Sequence, residues 1–244
     1  MQDYLKDIVQ HTYNLGSVEL VKVVGTAEET VVTALAEQNL FVVEAKFKNP
    51  HPDFIGTFGM PNLGKLNTIL GIPEYAENAK LTITTQKDPN GVDVPNGVHF
   101  ENATGDFKND YRFMTAQVVN DKLKKFKMRP VPWHVDFAPT VQGIQRLKFM
   151  ASANSEETTF IAKTENNDLK FTFGDHSRHA GNFVFQSGVS GAIAKGWNWP
   201  VAAVIGILGL SGDKTFKISD EGAMMITVDS GLIEYSYTIL AQTK

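Results

Sequence analysis

The chain contains no cysteine. Disulfides, a thiolate nucleophile and cysteine-ligated zinc are therefore excluded outright. It also lacks an apolar run long enough to cross a membrane as a helix, which takes about 20 residues. The run from Trp199 to Leu210, "WPVAAVIGILGL", carries no ionisable side chain, but it is too short and holds Gly206 and Gly209. Ser211-Gly212-Asp213 ends it like a helix stop followed by a turn. It reads as a short buried helix, Pro200 to Leu208, leading into a strand around Phe216. Met1 to Tyr13 is polar and amphipathic, without the apolar centre of a signal peptide; the expectation is a cytoplasmic protein with no membrane partner. Positive charge does not dominate: 23 Lys and Arg face 27 Asp and Glu, a net charge of −4. That argues against a protein that coats nucleic acid with its whole surface. It leaves room for one that lines a single surface with basic residues.

What is present is a core and a repeat. Hydrophobic residues make up 42% of the 244, enough for one large domain or two smaller ones. "MPNLGKLNTILGI", from Met60, echoes "WPVAAVIGILGL", from Trp199. Each begins with a large apolar residue and proline and closes with Leu-Gly and a branched aliphatic, the start and stop signals of a short helix. After the first come "KLTIT", "NGVHFENA" and "GDFKNDYRF"; after the second come "KTFKI", "EGAMMITV" and "GLIEYSYTI". Phe107, Asn109, Tyr111 and Phe113 alternate as Ile233, Tyr235, Tyr237 and Ile239 do, the period of half-buried strands. A helix opens each half. Asp3 to Leu15 turns Leu5, Ile8, Val9 and Thr12 inward, with Lys6, Gln10, His11 and Asn14 on or near the other side. Thr140 to Ala151 turns Val141, Ile144, Leu147 and Ala151 inward, with Gln142, Gln145, Arg146 and Lys148 outside. Asp3 and Thr140 are the expected N-caps. Strands are expected at Val18–Val24, Thr30–Ala36 and Leu40–Phe47, then at Thr158–Lys163, Leu169–Phe173 and Asn182–Gln186. The basic stretch from Thr115 to His134, with Pro130 and Pro132, reads as an extended connector. The domains are thus 1–114 and 134–244, with the connector at 115–133.

No constellation for catalysis emerges. His176 and His179 bracket Arg178 in a glycine-flanked stretch that reads as a solvated hairpin tip, without a third metal ligand in the pattern. There is no Gly-x-Ser-x-Gly elbow and no phosphate-cradling glycine loop. The adjacent acids Glu28-Glu29 and Glu156-Glu157 read as turn flanks, since neighbouring strand residues face opposite ways. The expectation is a protein that is not an enzyme, with no cofactor and no metal.

The layout resembles the DNA sliding clamps, the processivity factors of replicative polymerases, and most of all those of T-even-type phages. The likeness rests on "FIGTFGMPNLGKLNTILG" from Phe54, "FTFGDHSRHAGNFVFQSGV" from Phe171, and "GAMMITVDSGLIEYSYTILAQTK" from Gly222. It covers most of the chain as layout but only fragments as sequence. Trp199 and its apolar helix depart from the family's more polar pattern. The resemblance implies an α+β fold: a duplicated clamp of two similar domains, each with antiparallel sheets and two short helices. It further implies a homotrimeric ring around double-stranded DNA, held without regard to sequence, with DNA polymerase and clamp loader as partners. For a phage-encoded chain the location would be the host cytoplasm. The DNA-facing set would be Lys6, Gln10, Lys65, Gln142, Arg146 and Lys148. The partner-binding set would be Phe126, Met128 and Val131 of the connector with Leu240 and Ala241 of the tail. The alternative is a duplicated, non-enzymatic β-rich phage structural or assembly protein.

Overall fold

The computed structural model describes residues 1–124, 129–175 and 179–242. The chain forms two compact units: 1–126 with 230–235, and 127–229 with 236–244.

The first unit opens with helix α1 (Gln2–His11) and the antiparallel strands β1 (Leu20–Gly25), β2 (Thr30–Leu35), β3 (Phe41–Phe47) and β4 (Gly56–Pro61). Helix α2 (Leu63–Leu70) follows, then strands β5 (Lys80–Lys87), β6 (Asp93–Glu101) and β7 (Lys108–Arg112), a short β8 (Met114–Thr115) and helix α3 (Ala116–Lys122). The strand order is β8-β4-β1-β2-β3 in one sheet and β5-β6-β7 in the other. Val23 stands opposite Val32 on β2 and Phe58 on β4, so the even alternation of the sequence lays one apolar face across three strands. Leu5, Ile8 and Val9 of α1 and Leu63, Leu66 and Ile69 of α2 are buried. Tyr4 stacks on Phe47 at 4.8 Å between ring centres and ties α1 to β3.

The second unit comprises β9 (Val135–Phe137), helix α4 (Val141–Ala153), strands β10 (Thr159–Glu165), β11 (Asp168–Phe173), β12 (Gly181–Gln186) and β13 (Asn198–Pro200), helix α5 (Val201–Leu208), then β14 (Asp213–Ser219), β15 (Ala223–Asp229) and the later residues of β16 (Ile233–Leu240). Its sheets run β12-β11-β10-β13 and β16-β15-β14-β9. Apart from the short β8 and α3 of the first unit and β9 of the second, both units read helix, four strands, helix, three strands. In both, the fourth strand lies beside the first, in the order 4-1-2-3. The core of the second unit is aromatic: Phe171 lies 4.4 Å from both Phe160 and Phe185, and Phe160 stands opposite Trp199. The apolar run at 199–210 is a buried helix, with Pro200 as its N-cap and Trp199, Ala203, Val204, Ile207 and Leu208 in the core.

Four local expectations need correction. His11 is 1% exposed, not outward: its ring stacks on Tyr235 at 4.6 Å, and its Nδ1 lies 2.9 Å from the Asp7 carbonyl. Asp7 in turn accepts from Ser230 Oγ and Tyr235 Oη. Val141 is 73% exposed, because the stripe that α4 buries is Gly143 and Leu147. Asp3 sits in the first turn of α1 and the N-cap is Met1, whereas Thr140 does cap α4, accepting from the Gly143 N–H at 3.0 Å. Where an extended connector is expected, residues 116–122 form α3. Its buried Val119 lies over Gly59, where a Cβ would come within 2.7 Å of the valine.

Gly143 decides how α4 sits. A Cβ there would stand 2.5 Å from the Phe185 carbonyl oxygen of β12. Gly143→Ala gains about 1 kcal/mol of helix propensity but forces the helix away from β12, an overpacking cost of about 1–3 kcal/mol. The substitution should lower stability in urea unfolding; a gain would mean that α4 does not depend on this approach.

Candidate nucleic-acid interface

The faces opposite the buried stripes of the helices carry the expected side chains. Lys6, Gln10, Lys65, Gln142, Arg146 and Lys148 are all exposed. Lys6 and Gln10 are one turn apart on α1 and line a cleft of about 330 Å³ with Val9, Asn14 and, from α2, Asn67, Leu70 and Gly71. Lys65 lies two residues before Asn67, about 200° around a helix of 3.6 residues per turn, so it projects from the far flank of α2.

The same rotation separates Arg146 from Lys148. Gly143 and Met150 face β12: Met150 Sδ lies 2.5 Å from the Cβ position of Gly181. Arg146 stands on that flank of α4. The Lys148 side chain takes the other flank, its Nζ 3.9 Å from the Cβ position of Gly209, the residue that closes α5. The six residues are thus brought to exposed helix faces but not to one continuous stripe.

Charge pairing separates these cations from five strand lysines but not from Lys22, Lys80, Arg112 and Lys163 of β1, β5, β7 and β10, which also enter no ion pair among the described residues. Lys46, Lys87, Lys108, Lys170 and Lys217 pair with Glu29, Asp93, Glu101, Glu165 and Asp136. Among the described residues, Lys6, Lys65, Arg146 and Lys148 enter no ion pair. Helices α4 and α5 contain Arg146 and Lys148 and no acid. One residue that the sequence pattern does not single out belongs beside them. Lys214, at the start of β14, donates to the Gly212 carbonyl at 2.8 Å. Burial lowers its pKa; Asp213 opposes that shift and the nearby Lys148 adds to it. Its charge is visible in the sequence, but its nearness to α4 arises from tertiary packing.

Strand edges are the other exposed feature. β7 ends the β5-β6-β7 sheet and β12 ends the β12-β11-β10-β13 sheet. The turn leading to β7 is held by Asn102, whose Oδ1 accepts from the N–H groups of Gly105, Asp106 and Phe107 and whose Nδ2 donates to Glu74, Thr104 and Asp106. On β7 itself, Asp110 is held below the usual carboxylate range by a hydrogen bond from His99. Tyr111 donates to the Pro61 carbonyl, and burial pushes its phenol upward.

Of the partner-binding set, Phe126 and Met128 lie outside the described residues. Val131 is half-buried in the segment before β9, and Leu240 is 46% exposed at the end of β16. Ala241 donates from its N–H to the Gly222 carbonyl and Gln242 to that of Asn198, both at 2.9 Å, so the tail is fastened through Gln242. His176 is outside the described residues and His179 is exposed. No group of three His, Asp or Glu able to hold a metal occurs among the described residues, and no helix there is long and apolar enough to cross a membrane. Glu28 and Glu29 occupy the β1–β2 turn, their N–H groups donating to Thr26 Oγ1. A chain stopped at Leu240 loses both tail hydrogen bonds and should be less stable by about 1–3 kcal/mol in urea unfolding; an unchanged midpoint would show that the tail adds nothing to the fold.

No family model matches the chain, and no curated protein matches it. Solved structures do. PCNA of A. fulgidus, in a structure of the C-terminal region of FEN-1 bound to it, superposes with a TM-score of 0.70 at 10% identity, over 100% of this chain and 97% of that one. PCNA from Thermococcus kodakaraensis gives 0.64 at 13% identity, over 98% and 97%. At such identities the likeness speaks for architecture: the chain has the α+β fold of the PCNA-type sliding clamps.

Proposed function

We propose that this protein is a sliding clamp: three chains close into a ring around duplex DNA and tether a replicative polymerase. The observation that carries the reading is that Lys6, Lys65, Arg146 and Lys148 stand exposed on the outward faces of α1, α2 and α4 and enter no ion pair among the described residues. Unpaired cations on helix faces offer phosphates a diffuse, sequence-independent attraction. The net charge of −4 leaves the rest of the surface acidic enough to discourage adsorption elsewhere.

The free edges of β7 and β12 support self-association. An unpaired edge invites another strand, and pairing β7 of one chain with β12 of the next would remove both edges at each junction. Three two-unit chains then close a six-fold pseudosymmetric ring. The fragments from Phe54 and Phe171 that resemble the T-even-type clamps favour a phage source, hence work in a host cytoplasm. Polymerase and loader would dock on the connector around Phe126, Met128 and Val131 and on Leu240 and Ala241, with Lys122 and Lys124 steering acidic segments toward them.

Replacing Lys6, Lys65, Arg146 and Lys148 together with Ala should weaken binding to linear duplex and flatten its dependence on salt, by about 0.9 in the logarithmic slope for each phosphate no longer neutralised. An unchanged slope would remove these helices from the DNA surface. Leu240→Ala, at a position 46% exposed, should leave unfolding unchanged yet reduce stimulation of the polymerase on primed circular DNA, because a few apolar anchors carry most of a small interface. Full stimulation would place the partner site elsewhere.

A further inference from the structure

We infer that the exposed ring of Phe149 on α4 is a stacking platform for the bases of single-stranded DNA, a contact made to bases and not to phosphates. The inference rests on the clamp reading for the class of ligand and adds a second form of that ligand to it.

The first argument is exposure. Phe149 is 72% exposed on a helix of 13 residues, and Val141, about two turns earlier, is 73% exposed. Phe107, also exposed, rests on Tyr75 at 5.6 Å between ring centres. Phe149 meets no ring among the described residues. Turning α4 to bury it would lift Gly143 off the Phe185 carbonyl and Met150 off Gly181. The packing of the helix therefore holds the ring in solvent.

The second argument is the row in which the ring stands. Residues four apart lie one above the other on a helix. Val141, Gln145 and Phe149 form one exposed row, opposite the buried Gly143 and Leu147. An aromatic face takes a base of any identity by stacking. In a duplex each base face is covered by its neighbour, and a side chain that enters must first unstack a step. An unpaired strand offers its bases without that cost, so it is the form of DNA that suits the ring.

The third argument is charge. Arg146 and Lys148 stand to either side of the row, and α4 and α5 carry no acid, so a polyanion meets no repulsion there. A second copy apposed on the same face would instead bring these cations against their own kind. The first unit has no counterpart: the exposed residues of α1 and α2 are Asp3, Lys6 and Gln10, then Lys65, Asn67 and Thr68, all polar.

Anisotropy titrations of the full-length protein with labelled oligothymidylate, and with an abasic strand of equal length, test this. The abasic strand keeps the phosphates and lacks the bases. The wild type should bind oligothymidylate the more tightly. Phe149→Ala should weaken that binding about 5- to 150-fold and leave abasic binding unchanged. Phe149→Trp should keep the affinity and add a fluorescence component that oligothymidylate quenches and the abasic strand does not. No binding of oligothymidylate by the wild type, unchanged binding by Phe149→Ala, or an equal loss on both strands would overturn the platform. A changed molar mass of Phe149→Ala in light scattering would assign the ring to a contact between chains and overturn it as well. Electron micrographs of the wild type read the clamp separately. A ring with an unresponsive Phe149 removes the platform alone; a base-dependent response at Phe149 without a ring removes the clamp reading and leaves the platform.

Discussion

The contact on which the candidate surface depends is the approach of α4 to β12, with Gly143 against the Phe185 carbonyl and Met150 against Gly181. A side chain at Gly143 would push the helix off the strand, and one at Gly181 would displace the Met150 side chain. Because both glycines admit it, α4 takes one rotation about its axis. That rotation leaves Val141 and Phe149 outside, at 73% and 72% exposure, sends Lys148 to the end of α5, and sends Arg146 to the flank of the edge strand. The charge pattern of this helix is thus a consequence of backbone packing.

The first unit reaches a similar result by other means. Tyr4 stacks on Phe47, and His11 is buried on Tyr235 with Asp7 accepting from Ser230 and Tyr235. Those contacts fix the inward face of α1 and leave Lys6 and Gln10 outside. Here the acids Asp3 and Asp7 share the helix with its lysine, whereas α4 has none. The two repeats agree in strand order and helix position while differing in the charge they show.

Much of the fold could be read from the sequence because it obeys period and punctuation. The strands with clean alternation, such as Thr30–Leu35 and Phe41–Phe47, lie within a residue of their expected bounds. The Pro-start and Gly-stop of the two short helices located α2 and α5. Failures came where tertiary packing overrides local pattern. His11 is polar yet buried, since the Asp7 carbonyl satisfies its ring nitrogen. Val141 is apolar yet exposed, since Gly143 rather than Val141 faces the strand. The stretch from Thr115 to His134 looks like a linker by charge and proline content, but within it Val119 finds a seat on Gly59 and residues 116–122 form a helix. The exposed helix cations were legible as charges opposite an apolar stripe. Their division into flanks, and the arrival of Lys214 from another element, were not, because neither leaves a trace in residue spacing.

The proposed ring would explain why an acidic chain holds exposed, unpaired cations on selected helix faces: enclosure would supply retention, and the faces need only be hospitable to phosphate. The measurement that tests this most directly is an electron-microscope image of the purified protein at high concentration, averaged into projection classes. The account predicts a closed ring of three chains with a central hole wide enough for duplex DNA. Particles that remain single chains, or assemblies without a central hole, would contradict it.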